Sequence, residues 1–354
     1  MLRAHSRPLA AALIACLALA TSGRSETVYL VSQSTGKLLR FDSADTGATT
    51  TVTTLLDDLV GPSALTLGPD GSLYIAEWGD GDTIDPRVSR YDIGTAARTV
   101  VATLDPDTQF QPSAIAFRPA AVGGQMLVGR TGTLGATGTG AIYQISGWDG
   151  GAPVVASTPY NTGIALDGSS GLAVAADGTT YVSNSKYVGT QPTGVFAGSV
   201  VKLDAGGVSQ GEVVPDGLGS GGLSGPAGLI LAGDTLFIGS VTNSSVYRTT
   251  LDPLQTSLFG AVGGTAFFDV GPIARLADGS ILGGSVSGFS NTIYRFLPDG
   301  SLAAENYFNP DFGRIGGLAI APVPEPGGWL LAVAGITGLG WAARRRSRSG
   351  GRAS

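Results

Sequence analysis

One pattern of short apolar strands and tight turns recurs five times along this chain, and it constrains the fold more than any other feature. Each copy opens with a strand of small and apolar residues, turns into a second apolar strand, and then reaches a strand that contains an aromatic residue. The first strands of the copies occupy residues 62–67, 112–117, 171–174, 226–229 and 272–276. A repeat of roughly 50 residues with four strands is typical of propeller blades.

The turns and the two flanking segments indicate a closed ring. Asp-Gly pairs such as Asp70-Gly71 separate alternating apolar runs, and both residues tolerate the positive φ of a hairpin turn. Residues 28–56 supply a blade without its first strand, and residues 316–320 supply the missing strand. Pairing them removes the open sheet edges. We therefore predict an all-β, six-bladed β-propeller over residues 27–321, closed by its C-terminal strand. A β-helix has shorter coils, and a sandwich would not repeat.

The copies resemble the NHL, SMP-30 and TolB-like group of six-bladed propellers. Residues 73–80 are similar to the NHL strand that ends in an acidic residue and a glycine. The SMP-30 resemblance implies an alternative function, that of a calcium-dependent lactonase or esterase. In that family a metal-ligating Asn or Asp precedes a Gly-Leu or Gly-Met pair, whereas residues 62–64, 170–172 and 226–228 contain neither acid nor amide. This departure argues against lactonase chemistry.

Composition excludes several classes of chemistry. The only histidine is His5 and the only cysteine is Cys16, and both lie in the N-terminal leader. The mature chain therefore lacks the residues for a Ser-His-Asp triad, a cysteine nucleophile, a histidine zinc site or a disulfide framework. The leader and the C-terminal arginines hold seven of the 21 basic residues, so the rest of the chain has 14 against 27 acidic residues, a net charge of −13. This balance argues against a nucleic-acid partner and is more compatible with divalent cations or neutral glycans. Whether the chain is an enzyme stays open at this point, with a binding module preferred.

The N-terminal segment predicts export. Residues 1–20 read as a signal peptide for Sec-type machinery, with Arg3 and Arg7 before an apolar run and a small-x-small cleavage site at residues 18–20. An alternative is a lipobox over residues 13–16, in which Cys16 would be acylated.

The C-terminal segment resembles the PEP-CTERM sorting signal over residues 322–348. It combines a Pro-Glu-Pro triplet, an apolar stretch at residues 327–343 with the length of a short transmembrane helix, and a terminal arginine cluster that the positive-inside rule keeps cytoplasmic. The resemblance implies a Gram-negative cell, anchoring in the inner membrane, cleavage by an exosortase-like membrane protease, and then a place on the cell surface or in the matrix. A buried C-terminal core helix is the alternative. The sorting residues are Pro324, Glu325, Pro326, Arg344, Arg345 and Arg346.

The ends of the second strands provide a candidate ligand-binding ring. If the blades are equivalent, these positions share one face at the mouth of the channel, where propeller sites usually lie. Such a polar ring would suit a cation or a sugar, although residues of these types also cap strand ends. The ring residues are Gln33, Glu77, Arg130, Asn184, Asn243 and Asn291.

The loop after residue 77 is the densest carboxylate cluster and the candidate calcium site. Its oxygen donors are Glu77, Asp80, Asp82 and Asp85, although Asp is also a common turn residue. Trp78 and Trp148 are candidates for stacking on sugars or for packing on the blade ends. We therefore expect an envelope- or matrix-associated module that binds extracellular polysaccharide, or a structural coat protein without a small ligand.

Overall fold

Short strands joined by glycine-containing turns dominate the part of the chain that the structure describes. The computed structural model describes residues 25–321, except residues 48, 105–110, 133–136, 189–194, 218–221, 264–269 and 288–289. The predicted signal peptide and the predicted sorting segment, with its Pro-Glu-Pro triplet, helix and arginines, lie outside the described residues. Within them, no helix has the length and hydropathy that a bilayer crossing needs.

The described residues form 24 strands and a 3₁₀ turn at Ala120–Val122. The first twelve strands are β1 (Thr27–Ser32), β2 (Lys37–Asp42), β3 (Thr53–Leu56), β4 (Pro62–Leu67), β5 (Leu73–Glu77), β6 (Arg87–Tyr91), β7 (Arg98–Thr103), β8 (Pro112–Phe117), β9 (Met126–Arg130), β10 (Ala141–Ser146), β11 (Val154–Val155) and β12 (Ser169–Val174). The others are β13 (Thr180–Val188), β14 (Val195–Leu203), β15 (Ser209–Val214), β16 (Pro226–Ala232), β17 (Thr235–Ser240), β18 (Ser245–Leu251), β19 (Leu254–Ala261), β20 (Ile273–Arg275), β21 (Ile281–Gly284), β22 (Thr292–Phe296), β23 (Tyr307–Phe308) and β24 (Ile315–Ala321).

These strands pair into six antiparallel four-stranded sheets, the blades of a propeller. Blade 1 has the order β24-β1-β2-β3, and blades 2 to 6 each contain four consecutive strands beginning at β4, β8, β12, β16 and β20. The C-terminal strand pairs with the N-terminal one, with Val28 opposite Ile320. The prediction of an all-β, six-bladed propeller closed by its last strand is therefore confirmed, and the described strands begin at Thr27 and end at Ala321.

The hydrophobic core lies between neighbouring blades. Each of six clusters of buried side chains joins two adjacent sheets. Between blades 2 and 3, for example, Tyr74 meets Phe117 edge-on with ring centroids 4.8 Å apart. Burying a side chain of this size stabilises the fold by about 1.5–3 kcal/mol.

The inner strands of neighbouring blades approach one another closely because their residues are small. Ser63 Oγ donates to the carbonyl of Pro112 over 2.5 Å, and Ser113 Oγ donates to the carbonyl of Ser169 over 2.6 Å. Both serines sit at β-bulges near the start of an inner strand, where the extra residue interrupts the ladder. We call the edge of the ring where the inner strands begin the top face, and the opposite edge the bottom face.

Candidate functional site

The central channel is a cavity with a volume of about 950 Å³. Its wall is built from the inner strands β4, β8, β12, β16, β20 and β24. This volume lies in the range of small-molecule sites, about 300–1,000 Å³.

A ring of six side chains surrounds the top mouth of the channel, one from each blade. In four blades it is the residue directly after the second strand, whereas Ser185 lies within the longer β13 and Val286 comes two residues after β21; all six line the channel. Trp78, the largest, is half-buried. Its ring is held in place because Nε1 donates to the carbonyl of Pro112 over 2.8 Å. The top ring consists of Gln33, Trp78, Thr131, Ser185, Val241 and Val286.

The residue before each ring position turns away from the channel, because side chains alternate along a strand. In three blades its side chain accepts from the loop that enters the blade. Glu77 accepts the backbone N–H of Val60 over 3.0 Å, and Asn184 accepts that of Asp167 over 2.6 Å. Ser240 Oγ lies 3.2 Å from the backbone nitrogen of Ser224. Glu77 and Asn184, which were predicted to bind a ligand, therefore hold the loop that connects the preceding blade to their own.

Glu77 is the centre of a buried ionic cluster between blades 1 and 2. Its side chain is 0% exposed and forms salt bridges with Arg87 at 3.0 Å and Arg98 at 2.6 Å. Ser89 Oγ donates a further bond of 2.6 Å. Burial alone would raise the pKa of Glu77, but hydrogen bonds from Arg87, Ser89 and Val60 and the charge of Arg98 outweigh it and hold the pKa below its usual value. The carboxylate is thus ionised and fully engaged.

The other predicted ring residues occupy different environments. Gln33 lines the channel mouth. Arg130 donates to the carbonyl of Thr139 over 2.5 Å and lies over the ring of Tyr143. Asn243 accepts from Ser240 and donates to Tyr247 Oη on β18 over 2.8 Å and to the carbonyl of Gly222 over 3.0 Å. Asn291 has a φ of +48°, a turn conformation that Asn tolerates.

The four carboxylates of the predicted calcium site do not form a cation cage. Glu77 is occupied as described, and Asp82 and Asp85 are exposed. Asp80 accepts the backbone N–H groups of Asp82, Thr83 and Ile84 over 2.8–3.0 Å. These bonds, led by the one from Ile84, hold the pKa of Asp80 far below its usual range. Among the described residues no three His, Cys, Asp or Glu side chains converge as metal ligands would. The geometry therefore does not favour the calcium-dependent lactonase.

The two candidate tryptophans have different roles. Trp148 packs against Phe117 and Tyr74, with ring centroids 4.7 Å and 5.6 Å away, so it belongs to the core between blades 2 and 3. Only Trp78 presents its ring to the channel.

The charges that line the channel are positive. Arg314 lies at the top mouth and Arg275 at the bottom end, and no carboxylate of the described chain lines the cavity. Arg314 precedes β24, and its backbone is fixed by a bond from its N–H to Ser34 Oγ over 3.0 Å and by another to its carbonyl from Gln33 N–H over 2.7 Å. Its guanidinium forms no ion pair with the described residues.

The concave surroundings of Arg314 act on its charge. The residue is exposed by surface area, yet the atoms around the channel mouth desolvate it and lower its pKa. Both observations fit a side chain that reaches into a water-filled concavity. An incompletely hydrated guanidinium is well suited to a planar oxyanion, because two parallel N–H groups match a carboxylate.

A long hairpin of blade 4 adds a second aromatic residue to the mouth. Strands β13 and β14 extend above the neighbouring blades, and Ser185 pairs with Gly198 in this extension. Phe196 from β14 lines the channel, and its carbonyl accepts Thr242 Oγ1 over 2.6 Å. Because side chains alternate along a strand, a shift of one position from the predicted residues would have found Trp78, Thr131 and Ser185 of the top ring. No local signal in the sequence indicated Phe196 or Arg314.

Comparison with known proteins supports the fold. No protein-family model matches the sequence, and no curated protein matches it. A chain in a crystal structure of a nidogen/laminin complex is similar over 84% of this chain and 99% of its own length, with a TM-score of 0.60 and 12% sequence identity. At that identity the likeness shows a propeller fold alone, and this fold is compatible with a binding or structural module.

Proposed function

We propose that this chain is a non-enzymatic module that binds the acidic end or branch of an extracellular polysaccharide at the top mouth of its channel. The observation that carries the proposal is the pairing of Arg314, which has no carboxylate partner, with the immobilised ring of Trp78. A carboxylated sugar offers both complements, a carboxylate for the guanidinium and an apolar ring face for the indole.

The remaining groups of the mouth suit the same ligand. Gln33, Gln111, Thr131 and Ser185 provide amide and hydroxyl groups for sugar hydroxyls. A cation would meet no carboxylate there. The absence of His and Cys after the leader leaves binding as the simpler function.

Export and sorting form the second part of the proposal. The signal-peptide pattern of residues 1–20 and the PEP-CTERM-like pattern of residues 322–348 support Sec-type export from a Gram-negative cell and anchoring in the inner membrane. They also support processing by an exosortase-like protease. Cleavage would place the propeller at the cell surface or in the matrix, where acidic polysaccharides occur. Loss of surface exposure in a variant with Pro324, Glu325 and Pro326 replaced by alanine would test this part separately.

Calorimetric titration of the full chain with glucuronate oligosaccharides, and with neutral glucose oligosaccharides for comparison, tests the binding site. We expect binding of the acidic series, weakened at least tenfold in Trp78→Ala and in Arg314→Gln. Arg40→Gln, which removes the same charge from an exposed position on β2, is the matched control and should bind as the parent does. No binding of either series would instead favour a structural coat protein, and equal binding by Arg314→Gln would contradict the assigned site.

A further inference from the structure

A second cavity of about 530 Å³ opens between blades 5 and 6 on the bottom face, away from the top mouth. Blade 5 contributes Arg248, Thr250 and Ser257 to its wall, and blade 6 contributes Arg275 and Asp278. Phe237 and Phe259 close its inner end, where the apolar core between these blades begins. We call this cavity the blade 5–6 groove.

Comparison of the six repeats shows that Arg275 replaces an apolar residue. Arg275 pairs with Ile281, the second-strand residue that lies five positions before the top-ring residue of its blade. In every other blade, the inner-strand residue paired at that position is the last or penultimate residue of its strand. In the other five blades this position is apolar: Ile320, Leu67, Phe117, Val174 and Leu231. Between blades 2 and 3 the same space is filled by packing of Phe117 against Tyr74 and Trp148. Between blades 5 and 6, Arg275 occupies this position and the space beside it is an open groove.

The matching third-strand residue on the facing sheet, Arg248, is basic in most blades, so Arg275 is the unusual charge of the groove. The counterparts of Arg248 are Arg40, Arg90, Gln144, Lys202 and Arg295, and Arg40 and Lys202, like Arg248, have no salt bridge with the described residues. Arg90 is paired with Asp70 at 2.8 Å and Arg295 with Asp278 at 2.6 Å. Arg248 contacts Ser257 Oγ at 3.3 Å. Within the described residues neither Arg248 nor Arg275 has a salt bridge, and the only carboxylate on the groove wall is taken by Arg295.

We propose that the blade 5–6 groove binds a monosaccharide-sized ligand through an oxyanion, phosphate or carboxylate, held between Arg248 and Arg275. Two like charges on facing sheets destabilise an interface that apolar residues stabilise elsewhere in the ring. A bound anion turns that repulsion into two charge-assisted hydrogen bonds. Thr235, Thr250 and Gln255 along the wall offer partners for hydroxyl groups of the same ligand. Arg275 also lines the bottom end of the channel, but the proposed channel ligand lies at the top mouth on Trp78 and Arg314, so the groove site does not rest on that ligand.

Titration calorimetry of the full chain with inorganic phosphate, glucose 1-phosphate and glucuronate, with glucose as the uncharged control, tests this site. We expect at least one anion to bind and glucose not to bind. Tighter binding of glucose 1-phosphate than of phosphate would assign a phosphosugar, and tighter binding of glucuronate a uronate. Absence of binding by all three anions at millimolar concentration overturns the proposal.

Matched variants locate the bound anion. Arg275→Leu, which installs the residue of blades 2 and 5, and Arg248→Gln should each weaken binding at least tenfold. Arg90→Gln, the counterpart in blade 2, should leave it unchanged, and Arg314→Gln, at the channel mouth, should leave the binding of phosphate and of glucose 1-phosphate unchanged. Arg275→Leu should also unfold at a higher temperature than the parent without ligand, since it removes the repulsion. Anion binding that survives both groove variants, or that is lost in Arg314→Gln alone, overturns the proposal, and the latter result assigns the anion to the channel.

Discussion

Single residues in this propeller take their roles from strand alternation. Glu77 and Trp78 are neighbours in the chain, yet the first is buried between blades 1 and 2 and the second lines the channel. In blade 4, likewise, Asn184 bonds to the entering loop whereas the next residue, Ser185, lines the channel. Because successive side chains point to opposite faces, a shift of one position exchanges a structural residue for a candidate ligand-binding residue.

At this scale we predict that Glu77→Gln lowers the free energy of unfolding by about 3–5 kcal/mol, because it leaves Arg87 without a compensating charge, and Arg98 with only the exposed Asp58, in a largely buried cluster. Urea denaturation measures the change. Asp85→Asn, on the exposed loop nearby, should change stability by less than about 0.5 kcal/mol. A loss below about 1 kcal/mol in Glu77→Gln would contradict the structural role.

The same cluster predicts a dependence on pH. The pKa of Glu77 in the folded chain lies below its usual 4.5, so the stabilisation is complete above about pH 4.5 and is lost as the pH falls through the folded value. The difference in unfolding free energy between the parent and Glu77→Gln should therefore be constant near neutrality and shrink below pH 4.5. Paired urea titrations from pH 3 to pH 7 measure it. A difference that grows on acidification would refute the assignment.

The inner strands are the elements on which the ring depends. Because the inner strands converge on the channel, the backbone of one inner strand occupies the space that a larger side chain on the neighbouring inner strand would need. A Cβ on Gly317 in β24 would lie 2.8 Å from the Cβ of Leu65 in β4 and overlap its backbone nitrogen. Small residues at these positions are therefore required by the approach of neighbouring blades, and not by turn geometry.

We predict that Gly317→Ala costs about 1–3 kcal/mol of stability through overpacking, because the nearest atoms belong to backbone that cannot move aside. Gly263→Ala is the control, since a Cβ there meets nothing within 4 Å. This control should be neutral or slightly stabilising, by up to about 1 kcal/mol. Urea unfolding of the two variants compares them directly, and similar stabilities would show that the inner strands have room to separate.

At the scale of the whole molecule, the pairing of β24 with β1 closes the ring. Without β24, the edge of β1 and the residues that pack on Leu318 would face solvent. A chain that ends at residue 314 should therefore lose cooperative unfolding and aggregate. A chain that ends at residue 321 keeps the whole described unit and should unfold in one transition. Circular dichroism on heating and light scattering distinguish them, and cooperative unfolding of the shorter chain would show that closure is dispensable.

Much of this fold could be predicted, because propeller repeats carry local signals at each step. Asp70-Gly71 and its counterparts indicated hairpins, and the lone strand at residues 316–320 indicated closure. The candidate site was less accessible to prediction. Asp80 and Glu77 read as a carboxylate cluster, but hydrogen bonding within the loop and ion pairs within the blade engage them. Whether a carboxylate is free depends on partners distant in sequence, such as Arg98 for Glu77.

The sequence by itself determined the number of blades, the closing strand and the absence of histidine and cysteine after residue 16. These properties follow from local turn preferences, from apolar periodicity and from composition. Only the tertiary structure decided that Trp78 and Arg314 line one channel, and that Arg248 and Arg275 line one groove. Those pairs lie on different blades, and blade packing rather than any local preference brings them together.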